Sequence, residues 1–234
     1  MSFWRVTMRR SVRLSRTYFI LGVAISVYGT IISNILTLIP DNSVNPVSTP
    51  IDLMNIFPIL SVAILSLSTL LFSLPVVMLF VYDKNNGVLE YLLSAGFDQL
   101  DIFKGYVKAS LSLAAYLLVF SNTFNTAIGI YLGTNLGLLA SITVLTFAIG
   151  ISEVFLVTVS MMAFSSLQKT PMGANQPLGV IIGIIPMFPA LIFPLVFPSY
   201  AIVIDISIAA VTLLISFVVL LSISRLILRE KLLP

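Results

Sequence analysis

Two acids lie within long apolar stretches of this chain and are the residues best placed to do chemistry inside a membrane. Glu153 and Asp205 are flanked mainly by aliphatic side chains, with no Lys or Arg in the same stretch. A carboxylate at the centre of a membrane-spanning helix costs roughly 3 kcal/mol, so such residues often line proton or substrate paths. Protonation, or a hydrogen bond to Ser or Thr on another helix, would equally satisfy a structural acid. We expect Asp205 to lie at the outer membrane interface, whereas both roles stay open for Glu153.

The residue types that the chain lacks exclude most enzyme chemistry. Its 234 residues include no Cys and no His, which excludes disulfides, thiol nucleophiles, imidazole bases and the usual transition-metal sites. No Gly-x-x-x-x-Gly-Lys-Ser/Thr sequence occurs, so the chain is not the ATP-binding subunit of a P-loop machine. We therefore predict that it is not an enzyme and has no catalytic, cofactor-binding or metal-binding residues.

The basic residues fall in four clusters that are separated by apolar stretches. Apolar residues make up 59% of the chain and charged residues 9%, whereas about a quarter of a soluble domain is charged. Because short cytoplasmic loops of membrane proteins hold the excess of Lys and Arg, the clusters place both termini in the cytoplasm. They are short and lack interleaved aromatic side chains, so nucleic-acid binding is not expected. The clusters are Arg5, Arg9, Arg10, Arg13 and Arg16, then Lys84, Lys104 and Lys108, then Lys169, then Arg225, Arg229 and Lys231.

The apolar stretches between the clusters predict six membrane-spanning helices. A helix needs about 20 apolar residues to cross a bilayer core of roughly 30 Å. The connection 41–52 holds two acids and no base, as expected of an outside loop. No polar segment is long enough to fold separately, so residues 1–234 are expected to form a single all-α domain in the plasma membrane. The predicted spans are 18–39, 57–82, 109–132, 137–163, 178–197 and 201–224.

The first seventeen residues predict a separate helix. At about 100° per residue, the five arginines fall within one arc, and Phe3, Trp4 and Met8 lie mainly on the opposite side. A helix with a basic face and an aromatic, apolar face lies in the plane of the membrane interface. We predict such an interfacial amphipathic helix over 1–17, with its apolar face on lipid. The alternative is a basic tail that only orients the chain.

The polar segment 83–108 predicts a short helix between the second and third spans. Turn-forming residues 83–87 end the second span. Leucines then recur at helical spacing as far as residues 94–96. Asp98 resembles an N-cap, followed by the acidic Asp101 in the first turn of the next helix. A short amphipathic helix across the cytoplasmic face would offer a docking surface to a soluble partner, although an ordinary surface loop would explain the pattern equally well.

The predicted fifth span contains several helix breakers. Pro186 and Pro189 lie within it, and Gly179, Gly183 and Pro194 flank them. Each internal proline removes a backbone hydrogen bond and bends the helix. A bent helix is tolerated in a bilayer only where protein or water satisfies the freed carbonyls. Pro186 and Pro189 are therefore candidate path or gating residues together with Glu153, and a static kink is the alternative.

About twenty residues after the second span resemble a known family. Residues 86–96 (NGVLEYLLSAG), followed by residues 102–105 (IFKG), resemble the coupling region of type-2 ABC transporter permeases. The pattern of that family is Gly-Thr-Leu-Glu-x-Leu-Leu, then Ser/Ala-x-Pro, then an Ile-x-x-Gly-Lys-like segment that enters the third span. The positions that match are Gly87, Leu89, Glu90, Leu92 and Leu93.

Three positions depart from the family pattern. Val88 stands in place of the usual Thr, Gly96 stands where Pro is common, and Tyr106 follows Gly105 where Lys is usual. The layout of the family is similar to the one predicted above. It has an N-terminal interfacial helix, six spans, both ends inside, and a short cytoplasmic coupling helix between spans two and three.

The resemblance implies the membrane-spanning permease subunit of an ATP-driven ABC exporter. Its partner would be a separate cytoplasmic P-loop ATPase subunit, which would bind the ATP and Mg that this chain does not bind. A second permease subunit, identical or not, would help to enclose the path across the bilayer. The five matching residues would then form the helix that seats in a cleft of the ATPase.

Two other classes of function stay open. An ATP-independent carrier or channel would be favoured by inverted repeats or by paired intramembrane charges, and the sequence has no convincing repeat. A non-transporting membrane scaffold or immunity protein would use its polar segments only to dock partners. If the chain is an ABC permease, a haem-export-type permease is a further alternative, because it has a similar length and layout.

Overall fold

The computed structural model describes residues 3–36, 53–164, 192–193, 196–197 and 200–226. The regular structure among these residues is helical, so the described part of the chain is all-α, as predicted. Seven helices are described: α1 Phe3–Leu14, α2 Arg16–Leu36, α3 Leu53–Asn85, α4 Val88–Ser94, α5 Gln99–Tyr131, α6 Leu136–Phe164 and α7 Ala201–Leu226.

Five of these helices are long enough and apolar enough to cross a membrane. They are α2, α3, α5, α6 and α7, which correspond to the predicted spans 18–39, 57–82, 109–132, 137–163 and 201–224. The chain therefore has the make-up of a multi-pass membrane protein. Most of the predicted span 178–197, including Pro186 and Pro189, lies outside the described residues, as does the predicted loop 41–52.

Helices α3 and α6 form the centre of the bundle, because both are buried over most of their apolar length. They run side by side in the same direction, since Val62 packs among residues 139–149 while Val77 packs with Val157 and Met161. Most buried hydroxyls on α3 bond to carbonyls of their own helix, as Ser68 Oγ does to the Leu65 carbonyl at 2.8 Å, whereas the buried Ser61 Oγ has no partner among the described residues. Such bonds let polar side chains lie inside an apolar bundle without unpaired hydroxyls.

A tight turn joins α5 to α6 at the predicted position. Gly133 has a φ of 76°, in the left-handed region that glycine adopts without a steric cost. The amide of Thr134 donates to the Gly129 carbonyl at 2.9 Å, which completes a Schellman C-cap of α5. The side chain of Asn135 then accepts a hydrogen bond from the Gly137 amide at 2.7 Å, which caps the start of α6. This short link makes α5 and α6 an antiparallel pair.

The largest hydrophobic core lies at the end of the bundle that carries Lys84, Lys104 and the arginines of α1, which we call the basic end. Buried residues of α2, α3, α4, α5 and α6 form it. Phe3 and Met8 of α1 pack against this core. Phe3 lies over Gly105 inside the bundle, so the prediction that Phe3 faces lipid is wrong, whereas Met8 is only half-buried. Val12 and Leu14, near the end of α1, remain exposed. The helix α1 is therefore attached to the bundle along one side.

Candidate functional site

The short helix α4 is bounded by two glycines in left-handed conformations. Gly87, with a φ of 73°, turns the chain sharply after α3. At the other end Gly96 has a φ of 89°, and its amide donates to the Leu93 carbonyl at 3.1 Å. The amide of Phe97 donates to the Leu92 carbonyl at 3.1 Å, which completes a Schellman motif. Glycine at position 96 therefore ends α4 where the family pattern often has proline.

The two faces of α4 differ in burial. Leu89 is fully buried in the core at the basic end, and Leu92 and Leu93 are half-buried against it. Glu90 and Ser94 are exposed on the other side, and 71% of Tyr91 is exposed. Of the five residues that match the family pattern, the three leucines thus attach α4 to the bundle. We call Glu90, Tyr91 and Ser94 the outer face of α4.

A partly buried ion pair connects α1 to the end of α3. Arg10 Nη2 lies 2.7 Å from Asp83 Oδ1, and Arg10 Nη1 lies 2.9 Å from Asp83 Oδ2. The side chain of Asp83 is fully buried. The hydroxyl of Tyr106, on α5, donates to Asp83 Oδ2 at 2.5 Å. A bidentate arginine and a phenol together satisfy a carboxylate that would be costly to bury alone.

Aromatic rings extend this connection between α1 and α5. The ring of Phe3 contacts Tyr106 edge-on, with 5.6 Å between centroids, and Phe80 of α3 contacts Tyr106 in the same way at 5.2 Å. Phe3 lies directly over Gly105, where any Cβ atom would overlap its ring. The small residue at 105 is therefore what admits Phe3 to the bundle.

These contacts join four elements into one packed unit, which we call the basic-end junction. It consists of α1, the last turns of α3, α4, and the first turns of α5. Because Asp83, Leu89 and Tyr106 are all buried within it, a force on the outer face of α4 would move the ends of α3 and α5 and the attached α1 together.

The two intramembrane acids lie apart from this junction and from each other. Glu153 is fully buried in α6, and both of its carboxylate oxygens lack a hydrogen-bond partner among the described residues. Asp205 lies in the first turns of α7 and is fully buried, and its place at the outer membrane interface stays a prediction. It shares one face of α7 with Ala209 and Thr212, which are buried as well.

Polar side chains of α5 lie in the half of the bundle away from the basic end. Asn34 Nδ2 of α2 donates to Asn125 Oδ1 of α5 at 3.0 Å, a hydrogen bond between two helices. Asn122, Thr123 and Thr126 line an open groove of about 470 Å³ between α5 and α6. Apart from these three residues and Thr143, the lining of the groove is apolar.

Sequence reasoning missed the central residues of the junction. Arg10 is one of five arginines that orient the chain, Asp83 belongs to a run of turn-forming residues, and Tyr106 is a departure from a family pattern. The available signal was an acid placed directly at the end of an apolar span, where it is too close to the core to be fully solvated. Its partner could not be identified, since the arginines lie about seventy residues earlier in the chain.

The comparisons with known proteins leave the chain without an assigned family. No family model, no curated protein and no solved structure matches it. Within the described part of the chain, no group of three or more acidic side chains could hold a metal ion. The functional interpretation therefore depends on residues 86–105 and on the geometry of the basic-end junction.

Proposed function

We propose that this chain is the membrane-spanning permease subunit of an ATP-driven exporter of the type-2 ABC transporter family. The proposal rests on the position and burial of helix α4. The residues that resemble the coupling region of that family form a separate short helix, anchored by Leu89 and exposing Glu90 and Tyr91. An acidic and aromatic outer face of this kind is suited to a protein partner, because aromatic side chains are enriched at protein interfaces.

The directions of α6 and α7 support six crossings. Ala209 of α7 packs among residues 138–149, and Ser216 Oγ lies 3.4 Å from the Ser152 carbonyl, so the two neighbouring helices run in the same direction. Parallel α6 and α7 fit the predicted span 178–197, most of which lies outside the described residues, as the remaining crossing between them. With six crossings, both termini lie at the basic end, which the positive-inside rule places in the cytoplasm.

The basic-end junction suggests how the subunit would work. A cytoplasmic ATPase subunit would bind the outer face of α4 and would supply the ATP and Mg. Closure of the ATPase on ATP would push α4, and the buried contacts of Leu89 and Asp83 would pass the displacement to α3, α5 and α1. A second permease subunit would complete the path. α1 would lie at the cytoplasmic surface of the plasma membrane, as its exposed arginines favour.

The proposal is tested by affinity purification of the chain from its native membrane in mild detergent. We expect a P-loop ATPase to co-purify in fixed stoichiometry. Glu90→Lys should remove it, because the exchange reverses the one charge on the outer face of α4. Asp101→Lys is the matched control, since Asp101 is an exposed acid at the same end but outside α4.

Two results would overturn the proposal. One is a preparation free of any ATPase across several detergents, and the other is an ATPase retained equally by Glu90→Lys. The first would favour an ATP-independent carrier, for which the buried Glu153, with no partner in the described region, is the supporting observation.

A further inference from the structure

A groove with a charged rim and an apolar floor lies between α1 and α5. Its volume is about 400 Å³. The residues that line it are Met8, Arg9, Val12, Arg13, Leu113 and Tyr116. Leu113 is buried at its floor, whereas 63% of Tyr116 is exposed at its side. The groove thus combines two positively charged side chains with an apolar surface.

The two arginines of the groove are available to a ligand. Arg9 and Arg13 are exposed, and neither has an acidic partner among the described residues. Arg10, between them in the sequence, turns the other way to Asp83. Residues four apart on a helix are neighbours, with about 6 Å between their Cβ atoms. Two guanidinium groups at this spacing can both donate to the oxygens of one phosphate group.

The groove lies where the bundle meets the membrane surface. α1 runs alongside α5, since Phe3 covers Gly105 while Met8 and Val12 line the groove with Leu113 and Tyr116. Shortly after Arg13 the chain enters α2, which is apolar and long enough to span a membrane. Tyr116 lies eight residues after Lys108, the last basic residue of α5, and tyrosine favours the membrane interface. This arrangement favours a place for Arg9 and Arg13 near the lipid headgroups and for Leu113 near the acyl chains.

We propose that this groove binds an anionic phospholipid from the leaflet at the basic end. The guanidinium groups of Arg9 and Arg13 hold the phosphate, and an acyl chain lies along Met8, Val12, Leu113 and the ring of Tyr116. Basic pockets beside membrane-spanning helices are suited to anionic headgroups. The apolar floor distinguishes this site from one for a free anion, which would gain nothing from Leu113.

The bound lipid would also hold α1 on its outer side, opposite to the contacts of Phe3 and Arg10. Arg10 and Phe3 hold α1 to α3 and α5 on its inner side. A lipid in the groove fills the space between α1 and α5 on the outer side, so its binding stabilises the packed arrangement by mass action. This inference concerns the chain and its bilayer alone, and it does not depend on an ATPase partner.

The test uses the single tryptophan of the chain. The double variant W4F/Y116W moves the only tryptophan into the groove, and the full chain is reconstituted in phosphatidylcholine bilayers that contain a minority of phosphatidylglycerol. Brominated chains, which quench tryptophan fluorescence on contact, are carried either by the phosphatidylglycerol or by an equal amount of the phosphatidylcholine. We expect stronger quenching from brominated phosphatidylglycerol.

Two further double variants in the W4F/Y116W background locate the source of the preference. R9Q/R13Q should reduce the preference for phosphatidylglycerol about tenfold or more, as expected for two lost basic contacts. R5Q/K104Q removes the same charge from exposed positions outside the groove and should retain the preference. Equal loss in both variants would overturn the site, because it would show only a general attraction of charges. Reversal of the preference by inorganic phosphate would also overturn it, since the ligand would then be a free anion.

Thermal unfolding provides a second measurement if the engineered tryptophan disturbs the groove. The chain with its native Trp4 and Tyr116 should unfold at a higher temperature with phosphatidylglycerol than in phosphatidylcholine alone. R5Q/K104Q should respond in the same way, whereas R9Q/R13Q should not respond. An unchanged unfolding temperature in the native chain would contradict the proposal.

Discussion

Arg10 and Asp83 lie 73 residues apart in the sequence and form a bidentate ion pair that joins α1 to the end of α3. The carboxylate is fully buried, whereas the arginine is 39% exposed. The two side chains of the pair therefore differ in their access to water. Among the described residues, loss of the arginine leaves the buried carboxylate with the Tyr106 hydroxyl as its hydrogen-bond partner. Loss of the acid leaves an arginine that water can reach.

Breaking this ion pair should be more costly from one side than from the other. We expect Arg10→Ala to lower the free energy of unfolding by about 2–3 kcal/mol, because it leaves Asp83 buried and partly unpaired. Asp83→Asn should cost about 1 kcal/mol, since the amide can still accept from Tyr106. Thermal or denaturant unfolding in detergent micelles measures both changes in the free energy of unfolding. The double variant Arg10→Ala/Asp83→Asn completes a double-mutant cycle. If the two changes add up in the double variant, the two side chains do not interact directly. Arg9→Ala, the exposed neighbour, is the control and should change stability by no more than about 0.5 kcal/mol.

Filling the space at Gly105 should detach α1 from the bundle. Gly105→Ala places a methyl group where the ring of Phe3 lies, so Phe3 must leave its site against Tyr106. Because the chain contains no cysteine, Ser11→Cys provides a single label at a buried position of α1. We expect a water-soluble maleimide to label this cysteine faster in Ser11→Cys/Gly105→Ala than in Ser11→Cys alone.

Phe3→Ala supplies the control for the Gly105 experiment. The smaller side chain makes room for the new methyl group, so adding Gly105→Ala to Phe3→Ala should cause no further rise in labelling. A further rise of the same size would show that Gly105 acts through something other than Phe3.

Neighbouring residues of α4 should separate folding from docking. Leu89→Ala removes a fully buried side chain from the core and should lower the free energy of unfolding by about 2–5 kcal/mol. Glu90→Lys, on the exposed side, should change it by no more than about 0.5 kcal/mol. Unfolding in detergent measures both. A large loss of stability in Glu90→Lys would show that Glu90 belongs to the fold, and its loss of a partner could then not be assigned to docking.

Replacing Glu153 with an apolar residue of similar size should stabilise the chain. Its carboxylate is fully buried, and neither oxygen has a hydrogen-bond partner among the described residues. Glu153→Met removes the cost of burying that group, and we expect about 1–3 kcal/mol of additional stability. The midpoint of thermal unfolding in detergent measures the change. Glu90→Met, at an exposed acid, serves as the control. Destabilisation by Glu153→Met would indicate that Glu153 is paired with a residue outside the described ranges.

Hydropathy and turn chemistry are local properties, and the elements they control could be predicted from the sequence. The five long helices follow from runs of apolar residues, because a run of that length and composition favours a membrane-spanning helix in any context. The ends of α4 follow from Gly87 and Gly96, since the left-handed backbone at each position favours glycine. The start of α5 after Asp98 was predicted correctly, although the Asp98 side chain makes no capping hydrogen bond.

Only the tertiary structure decided which side chains meet. The helical wheel grouped Arg10 with the other arginines, because a wheel contains no information about a carboxylate on another helix. It likewise placed Phe3 on lipid, and nothing near Phe3 in the sequence reveals the space above Gly105. The distance of Asp205 from the end of a span predicts its depth in the membrane but not its burial, which depends on which face of α7 packs on α6. In each case the sequence determined the helix and its residue types, whereas contacts between helices far apart in the chain determined the role of the side chain.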